Sequence, residues 1–232
     1  MDYFDFKQFR VYQQKSAFKV GTDSVLLGAW ADTSSASRVL DIGTGTGLLA
    51  MMVAQRTKSK IIALEADRQS FEQAMQNIRI CPWSDRIDVK NIRIQDYSTD
   101  FKFDLIVSNP PFFRKSLPNN DERVSGTRHD INLSLGELLN SVDRLIAANG
   151  RLCLVLPYAE AALFIAEAAD HQLYCNKILR VKPRPSYPVI RMLMEFGKEK
   201  RVLQQSFLTI ETTRHVYTDE YKKLTSEYYL NF

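Results

Sequence analysis

The segment Arg38-Val-Leu-Asp-Ile-Gly-Thr-Gly-Thr-Gly47 joins a short apolar run to three closely spaced glycines, and a helical apolar pattern begins at Leu48. Residues 38–42 have the composition of a buried β-strand, and the run from Leu48 to Val53 predicts a helix. Glycines between a strand and a helix let a ligand approach the backbone, where the helix N-terminus offers N–H groups. This order predicts an open α/β sheet with a ligand at the carboxyl ends of its strands.

A second apolar strand is predicted over residues 60–64, and it ends at Glu65. An acid about 20 residues beyond a glycine loop is where dinucleotide-binding folds hold the ribose hydroxyls. A surface acid at a strand end is the simpler interpretation of Glu65 alone, but the preceding glycine loop favours the ribose role. The dinucleotide pattern would require a glycine where Leu48 stands, which disfavours a nicotinamide dehydrogenase. No Lys-Ser/Thr pair follows the glycines, which disfavours a nucleoside triphosphate loop.

The turn Ser108-Asn-Pro-Pro-Phe-Phe113 follows another apolar run, residues 103–107. Its prolines cannot donate to a sheet ladder, so the strand must end there. The side-chain oxygen of Asn109 and the carbonyl of Pro110 could each accept one N–H of a flat amine, and the ring of Phe112 could stack on it. A strand-ending turn without a catalytic role remains the alternative for these residues alone.

The rest of the chain alternates predicted strands and helices, which indicates a doubly wound α/β fold. The ends of its strands carry Gly43, Glu65, Asp96 and Asn109 on one edge, although Asp96 could equally be a turn acid. We expect a mostly parallel sheet with an antiparallel C-terminal strand. We expect one domain over residues 1–232, in which residues 1–37 cap the cofactor side of an α/β core formed by residues 38–232.

Local patterns predict the remaining helices and strands. Residues 1–31 show no strong periodicity, apart from a helix over Val25 to Trp30 with Asp23 or Ser24 as its cap. Apolar residues at helical spacing predict a packing helix over Arg68 to Ile80, and a third strand is predicted over residues 87–94. A helix predicted over residues 132–148 would end at Asn149-Gly150. The remaining predictions are strands 151–156 and 173–181, a helix 159–169, two antiparallel strands 189–196 and 207–211 joined by a polar turn, and a final helix 218–225.

Composition places the chain among ordinary globular proteins, with 45% hydrophobic and 25% charged residues. No apolar run approaches the roughly 20 residues that a membrane helix requires, and the N-terminus has no apolar signal core. We therefore expect a cytoplasmic protein with no membrane partner. The three cysteines, Cys81, Cys153 and Cys175, form no Cys-x-x-Cys pair, so free thiols fit better than disulfides or a zinc site.

Positive charge is concentrated in the C-terminal part of the chain. The whole chain has a net charge of +4, whereas residues 177–201 alone contain eight Lys or Arg and two Asp or Glu. A solvated face is the ordinary interpretation of such a stretch, and a phosphate-binding surface is the functional one. Composition does not choose between them.

The combination of Asp41-x-Gly-x-Gly-x-Gly47, Glu65 and the turn from Asn109 to Phe112 resembles class I methyltransferases that use S-adenosylmethionine. The Asn-Pro-Pro-aromatic form is similar to the branch that methylates planar amino groups of adenine, guanine or glutamine. A narrower resemblance covers nearly the whole chain, and it is to the bacterial tRNA adenine-N6 methyltransferases acting on valine tRNA. It rests on Phe18-Lys-Val-Gly-Thr-Asp23, Asn109 to Phe113, Arg128-His129, Tyr217 to Tyr221 and Tyr229-Leu230.

This resemblance implies S-adenosylmethionine as cofactor and the anticodon loop of a tRNA as partner, without a metal. Asn109, Pro110 and Phe112 would hold the adenine. A monomer is our expectation, although the sequence leaves the oligomeric state open. The residues implied in cofactor binding are Asp41, Gly43, Gly45, Gly47, Glu65, Asp96, Gly21, Thr22 and Asn109. Charge and location alone suggest RNA phosphate contacts at Arg114, Lys115, Arg128, Lys182 and Arg184.

Three other functions remain open at this stage. A protein glutamine N5-methyltransferase needs the same turn, but that branch usually carries an N-terminal helical domain, and only 37 residues precede the first core strand here. A guanine-N2 ribosomal RNA methyltransferase often carries a duplicated domain, which we do not find. A non-catalytic RNA-binding module of the same fold is the alternative from a different class, and the intact loop, acid and turn disfavour it.

Overall fold

The architecture comes from a computed structural model that describes residues 2–16, 18–111 and 133–231. The described helices are α1 (Thr22–Trp30), α2 (Leu48–Arg56), α3 (Arg68–Ile80), α4 (Leu135–Leu145), α5 (Tyr158–Asp170) and α6 (Asp219–Thr225). The described strands are β1 (Tyr3–Asp5), β2 (Arg10–Tyr12), β3 (Arg38–Ile42), β4 (Lys60–Glu65), β5 (Ile87–Asn91), β6 (Phe103–Ser108), β7 (Ile146–Pro157), β8 (Tyr174–Lys182), β9 (Arg191–Gly197), β10 (Gln204–Thr209), β11 (Glu211–Thr213) and β12 (Val216–Tyr217).

The central sheet has the strand order β10-β8-β9-β7-β6-β3-β4-β5 in the part of the chain that is described. From β7 to β5 every neighbouring pair is parallel, and β10 is parallel to β8. Strand β9 runs antiparallel to both of its neighbours, β7 and β8. The prediction of a mostly parallel α/β sheet with an antiparallel C-terminal strand is therefore confirmed.

Alternation along the strands divides the core into two layers, one on each face of the sheet. One layer packs α1, α2, α3 and α6 against the sheet, with Leu27 and Met52 among its buried residues. The other packs α4 and α5, with Leu139 and Phe164. Burying an aliphatic or aromatic side chain of this size stabilises a fold by about 1.5–3 kcal/mol, so both layers stabilise the central sheet.

The start of α1 differs from the sequence prediction. The helix begins at Thr22 after Gly21, which is extended, and no side chain caps it. Asp23 and Ser24 lie inside the first turn instead, so the prediction that one of them is the cap was wrong. Their side chains reach across to other elements, and these contacts are described with the site below.

The loop predicted to end α4 belongs to a strand. The helix ends at Leu145 because Ile146 is already extended, with φ −73° and ψ 139°. Asn149 and Gly150 therefore lie within β7 and do not form a helix cap. A Cβ at Gly150 would stand 2.7 Å from the carbonyl oxygen of Phe103, so this glycine permits a close backbone approach where the β6–β7 pairing shifts register. The third predicted strand is also shorter, since β5 ends at Asn91.

Strands β9 and β10 run in opposite directions, as predicted, but they do not pair with each other. Both edges of β9 are already occupied by β7 and β8. Strand β10 therefore adds to the outer edge of β8, where Phe207 pairs with Arg180. Competition for sheet edges is a tertiary effect, and hydrophobic patterning along the chain does not report it.

The N-terminal segment contains a hairpin, β1–β2, that the sequence pattern did not predict. Each strand has three residues, too few for alternation to be recognised. The amide of Asn77 on α3 holds the hairpin, accepting from the N–H of Tyr12 at 2.9 Å and donating to its carbonyl at 2.8 Å. At the other end of the chain, Tyr228 is buried and donates to the carbonyl of Met52 at 3.1 Å, so this residue anchors the C-terminal segment on the core.

Candidate active site

The glycine loop between β3 and α2 has a left-handed backbone at all three glycines, with φ of 71° at Gly43, 57° at Gly45 and 83° at Gly47. Other residues rarely adopt these values. At Gly47 space is also tight, because a Cβ would lie 3.1 Å from Cδ1 of Ile78 and that side chain would have to shift. The carbonyl of Leu64 accepts from the N–H groups of both Gly43 and Thr44, at 2.9 and 3.0 Å, and so fixes the loop to β4.

Asp41, near the end of β3, is a buried acid with an incompletely satisfied carboxyl group. One oxygen, Oδ2, accepts from the Thr44 hydroxyl at 2.5 Å. The other, Oδ1, is buried and has no hydrogen-bond partner among the described residues. Burial raises the pKa of Asp41 to about 7, and the Thr44 hydroxyl and the N–H of Ala50 act in the opposite direction. An orphaned buried oxygen costs free energy unless a ligand or water satisfies it.

Glu65, the last residue of β4, lies against the same loop and is only 8% exposed. Its Oε2 accepts from the N–H of Gly45 at 2.8 Å, and its Oε1 accepts from the N–H of Asp67 at 2.9 Å. Burial raises the pKa of this carboxyl, and the two N–H groups oppose that change. A carboxylate has about four acceptor positions, so Glu65 retains capacity to accept from a further donor.

The turn after β6 is held at the same edge as the glycine loop. The Ser108 hydroxyl donates to the carbonyl of Ile42 at 2.9 Å, which pins the end of β6 to the end of β3. Asn109 is half-buried, and Pro110 is buried. The Asn109 Nδ2 donates to Oγ of Ser24 at 2.8 Å. With Nδ2 directed to Ser24, the Asn109 Oδ1 has no partner among the residues that the structure describes and can accept from a substrate amine.

An ion pair fixes the start of α1 beside this turn. Nε of Arg191, the first residue of β9, lies 2.7 Å from Oδ2 of Asp23, and both side chains are about three-quarters buried. The register pairs Arg191 with Pro157 at the end of β7. Gly21 and Thr22 precede Asp23 directly, so both predicted residues lie at the carboxyl edge of the sheet.

The structure describes three of the other predicted site residues and leaves the rest outside its described ranges. Asp96 is exposed and forms a salt bridge with Arg93 at 2.8 Å, as a turn acid would, and its contact with the cofactor stays a prediction. Lys182 ends β8, and Arg184 follows it at the edge that carries Asn109. The remaining predicted residues, Phe112, Arg114, Lys115 and Arg128, lie outside the described residues.

Sequence reasoning missed two residues of this site. Ser24 and Arg191 contact Asn109 and Asp23 across separations of 85 and 168 residues in the chain. The sequence predicts Ser24 only as a candidate helix cap, and it places Arg191 only within the basic stretch 177–201. The motif Gly21-Thr-Asp-Ser24 beside a predicted helix start was the available signal for Ser24.

The residues present fit the cofactor that the resemblance implies. S-adenosylmethionine carries a sulfonium, an ammonium and a ribose diol, all of which are cationic or donate hydrogen bonds. The site offers the buried carboxylates of Asp41 and Glu65, one of them with an unpartnered oxygen, and a glycine backbone open to close approach. Within residues 2–16, 18–111 and 133–231, no helix is long and apolar enough to cross a bilayer. The same residues contain no group of three His, Cys, Asp or Glu side chains that could hold a metal ion.

Comparison with known proteins places the chain in a family. The family model described as "Methyltransferase small domain" matches residues 8–157. The tRNA1(Val) (adenine(37)-N6)-methyltransferase of Bacteroides fragilis YCH46 is 45% identical over 98% of both chains. The protein with that name in Trichodesmium erythraeum is 43% identical over 99% of this chain and 98% of its own.

Solved structures support the fold. A predicted O-methyltransferase from Agrobacterium tumefaciens aligns with a TM-score of 0.69 and 23% identity, covering 89% of this chain and 96% of its own. A methyltransferase from Pyrococcus furiosus aligns with a TM-score of 0.51 and 21% identity, covering 69% and 74%. S-adenosylmethionine is the methyl donor that this fold and family imply. The chain is therefore a class I methyltransferase, and it belongs to the family of the bacterial tRNA1(Val) (adenine(37)-N6)-methyltransferases.

Proposed function

We propose that this methyltransferase transfers a methyl group to the exocyclic N6 of adenine 37, in the anticodon loop of a valine tRNA. The observation that carries the proposal is similarity along the full length, with 45% identity over 98% of the chain to a relative of that specificity. The Asn109 turn supplies the chemistry that such a substrate requires. With tRNA as substrate, we place the protein in the cytoplasm.

The adenine amino group is a poor nucleophile because its lone pair is delocalised into the ring. In our proposal, Oδ1 of Asn109 accepts one of its hydrogens and the carbonyl of Pro110 accepts the other. These two acceptors draw the nitrogen toward tetrahedral geometry and localise its lone pair. When bound, S-adenosylmethionine supplies an electrophilic methyl group on its sulfonium. The Asn109 turn would hold the nitrogen so that it takes this methyl group as the sulfonium departs as a neutral thioether, and the methylated amine would then release one proton to solvent.

Positioning and electrostatics then supply most of the barrier reduction, and no general base is needed before attack. An asparagine cannot act as a base, which suits this mechanism. Phe112 would stack on the adenine, a contact worth on the order of 1–3 kcal/mol. An unpaired base in a loop is cheaper to expose than a base in a duplex.

Ser24 has a positioning role in this proposal. An amide presents either an acceptor or two donors, depending on its rotation by 180°. Because the Ser24 hydroxyl accepts from Nδ2 of Asn109 at 2.8 Å, the amide is held with Oδ1 toward the substrate side. The Arg191–Asp23 ion pair holds the helix turn that carries Ser24.

We assign the remaining residues by their location. Glu65 would accept from the ribose hydroxyls, Asp41 would support the loop and the ammonium group, and Asp96 would contact the adenine of the cofactor. The glycine loop, Gly43 to Gly47, would line the cofactor, with Gly21 and Thr22 at its methionine end. We also retain the organisation as one domain, with residues 1–37 on the cofactor side.

For the tRNA backbone, we propose phosphate contacts from Lys182, the last residue of β8, and from Arg184, two positions beyond it. Their position beside the Asn109 edge supports this assignment. The same role is proposed for Arg114, Lys115 and Arg128. We expect the protein to act as a monomer.

The proposal is tested by methyl transfer from radiolabelled S-adenosylmethionine into total bacterial RNA and into a protein extract, with identification of the labelled nucleoside. We expect label in the tRNA fraction as N6-methyladenosine. Label as N2-methylguanosine in ribosomal RNA would overturn the substrate, and label only in protein would favour glutamine methylation. Asn109→Ala enzyme is the matched control, and it should give background label in every fraction.

A further inference from the structure

An ordered pair of side chains lies in the loop that joins β8 to β9. The guanidinium carbon of Arg184 stands 4.5 Å from the ring centroid of Tyr187, and its Nη2 donates to the Tyr187 hydroxyl at 3.0 Å. The N–H of Tyr187 donates to the carbonyl of Arg184 at 3.0 Å, closing the turn. Tyr187 nonetheless remains 44% exposed, so the ring is fixed in place while much of its surface faces solvent.

The loop lies at the edge of the sheet that carries the catalytic turn. Strand β8 ends and β9 begins at that edge, because Val181 and Pro157 both pair with Arg191. Adjacent strands are about 4.8 Å apart, and three spacings separate β6 from β8. The loop therefore lies roughly 15 Å from the end of β6 along the sheet edge. This distance is too large for a contact with the base held at Asn109.

A second exposed aromatic residue lies between the end of β6 and the loop that joins β8 to β9. Tyr158 follows the end of β7, is 52% exposed, and donates its N–H to the carbonyl of Ile190 at 3.2 Å. The surface from Asn109 to Tyr187 thus presents two aromatic residues and the cations of Lys182 and Arg184. Aromatic rings combined with a basic groove are the general features of surfaces that bind single-stranded nucleic acid.

We propose that Tyr187, held by Arg184, is a stacking platform for the base of a nucleotide close to the target adenine in the same RNA loop. This inference rests on the proposed function. One side of the ring is occupied by the guanidinium, and the 44% of the residue's surface that is exposed is what a base could contact. The guanidinium also places positive charge where the RNA backbone must pass. Tyr158 borders the path between the platform and the catalytic turn.

The ordered state of the pair supports this role. A tyrosine has few side-chain torsions to fix, and here the guanidinium and the turn hydrogen bonds fix them before any ligand binds. Preorganisation of this kind lowers the cost of binding. The positive charge around the ring favours a polyanion over an apolar protein surface as the occupant.

The chain contains a matched control pair. Tyr3 is 43% exposed, and the guanidinium carbon of Arg10 stands 4.1 Å from its ring centroid. This pair has the same chemistry and exposure, but it lies on the N-terminal hairpin that contacts α3. Tyr3→Ala therefore removes a similar cation–π contact without touching the proposed platform.

The test is a set of binding constants for full-length valine tRNA at one fixed salt concentration. Tyr187→Ala should weaken binding about 5- to 100-fold, whereas Tyr187→Trp and Tyr3→Ala should stay within about twofold of wild type. A tRNA with one loop nucleotide made abasic should bind wild type more weakly by a similar factor. That same abasic tRNA should bind Tyr187→Ala with almost no further loss, because the base and the ring form one contact.

Two outcomes overturn the platform. Either Tyr187→Ala binds tRNA as wild type does, or every abasic substitution weakens wild type and Tyr187→Ala equally. Both leave the proposed function intact provided that wild type still methylates the tRNA. If wild type neither binds nor methylates any tRNA, the proposed function itself fails, and the platform fails with it.

Discussion

Replacement of Ser24 by alanine removes the hydrogen-bond acceptor that, in the proposed mechanism, orients the amide of Asn109. The hydrogen bond from Nδ2 of Asn109 to Oγ of Ser24 is 2.8 Å long, and both residues are half-buried. A hydrogen bond of this kind contributes about 0.5–1.5 kcal/mol. If that free energy is what holds Oδ1 toward the substrate, its loss lowers the rate of methyl transfer by about two- to tenfold.

The assay is single-turnover methyl transfer to valine tRNA at saturating S-adenosylmethionine, with the dissociation constants of cofactor and tRNA measured separately. We expect the rate of Ser24→Ala to fall by that factor while both dissociation constants stay within about twofold. Ser24→Thr keeps a hydroxyl on the same carbon and should restore most of the rate. A full rate in Ser24→Ala, or a loss that appears only in binding, would refute the orientation of Asn109 by Ser24.

Three further predictions concern the same edge of the sheet. Asn109→Ala should lower turnover by at least about 100-fold. The cofactor dissociation constant, measured by calorimetry, should change by no more than a few fold. Near-normal turnover of this variant would contradict the mechanism. Exchange of Lys182 and Arg184 for glutamine should weaken tRNA binding and reduce its salt slope by about 0.7 per lost phosphate contact, and an unchanged slope would place the RNA surface elsewhere. Since burial raises the folded pKa of Asp41 to about 7, above an unfolded value of about 3.9, the folded state binds the extra proton. The free energy of unfolding should therefore fall by up to about 4 kcal/mol as the pH rises from about 4 to 7. Asp41→Asn should flatten this decline. Denaturant midpoints that change in parallel from pH 5 to pH 8 in wild type and Asp41→Asn would contradict the prediction.

Local sequence patterns predicted the framework of the fold well. Strand β3 and helix α3 have the predicted bounds, Arg38–Ile42 and Arg68–Ile80. Strand β3 is strongly apolar and lies between a polar break and the glycine loop. Helix α3 is long, and its start is marked by Asp67, whose side chain caps the helix by accepting from the N–H of Ser70. In such segments the hydrophobic period and the end signals agree, so tertiary packing has little to override.

The errors occur where long-range contacts determine the outcome. Strand β10 pairs with β8 because both edges of β9 are occupied. Gly150 lies in a strand because β7 must approach the Phe103 carbonyl closely. The three-residue strands of the N-terminal hairpin are held by Asn77, which is 65 residues from Tyr12 in the chain.

In the candidate site, too, local patterns predicted some residues, whereas long-range contacts supplied the others. Glycine spacing and strand ends located Gly43, Glu65 and Asn109 at one edge, since the carboxyl ends of parallel strands must meet there. The partners that orient those residues could not be predicted in the same way. The hydroxyl of Ser24 and the guanidinium of Arg191 come from elements far away in the chain, and only the folded structure brings them to Asn109 and Asp23.

The proposed substrate is tested most directly by methylation of a defined valine tRNA transcript with the purified protein, followed by mapping of the methyl group. We expect one methyl group per tRNA, on N6 of adenine 37, and no incorporation when that adenine is replaced by guanine. Asn109→Ala should leave the wild-type transcript unmethylated. Incorporation that persists after replacement of adenine 37, or a methyl group on any atom other than N6, would contradict the account.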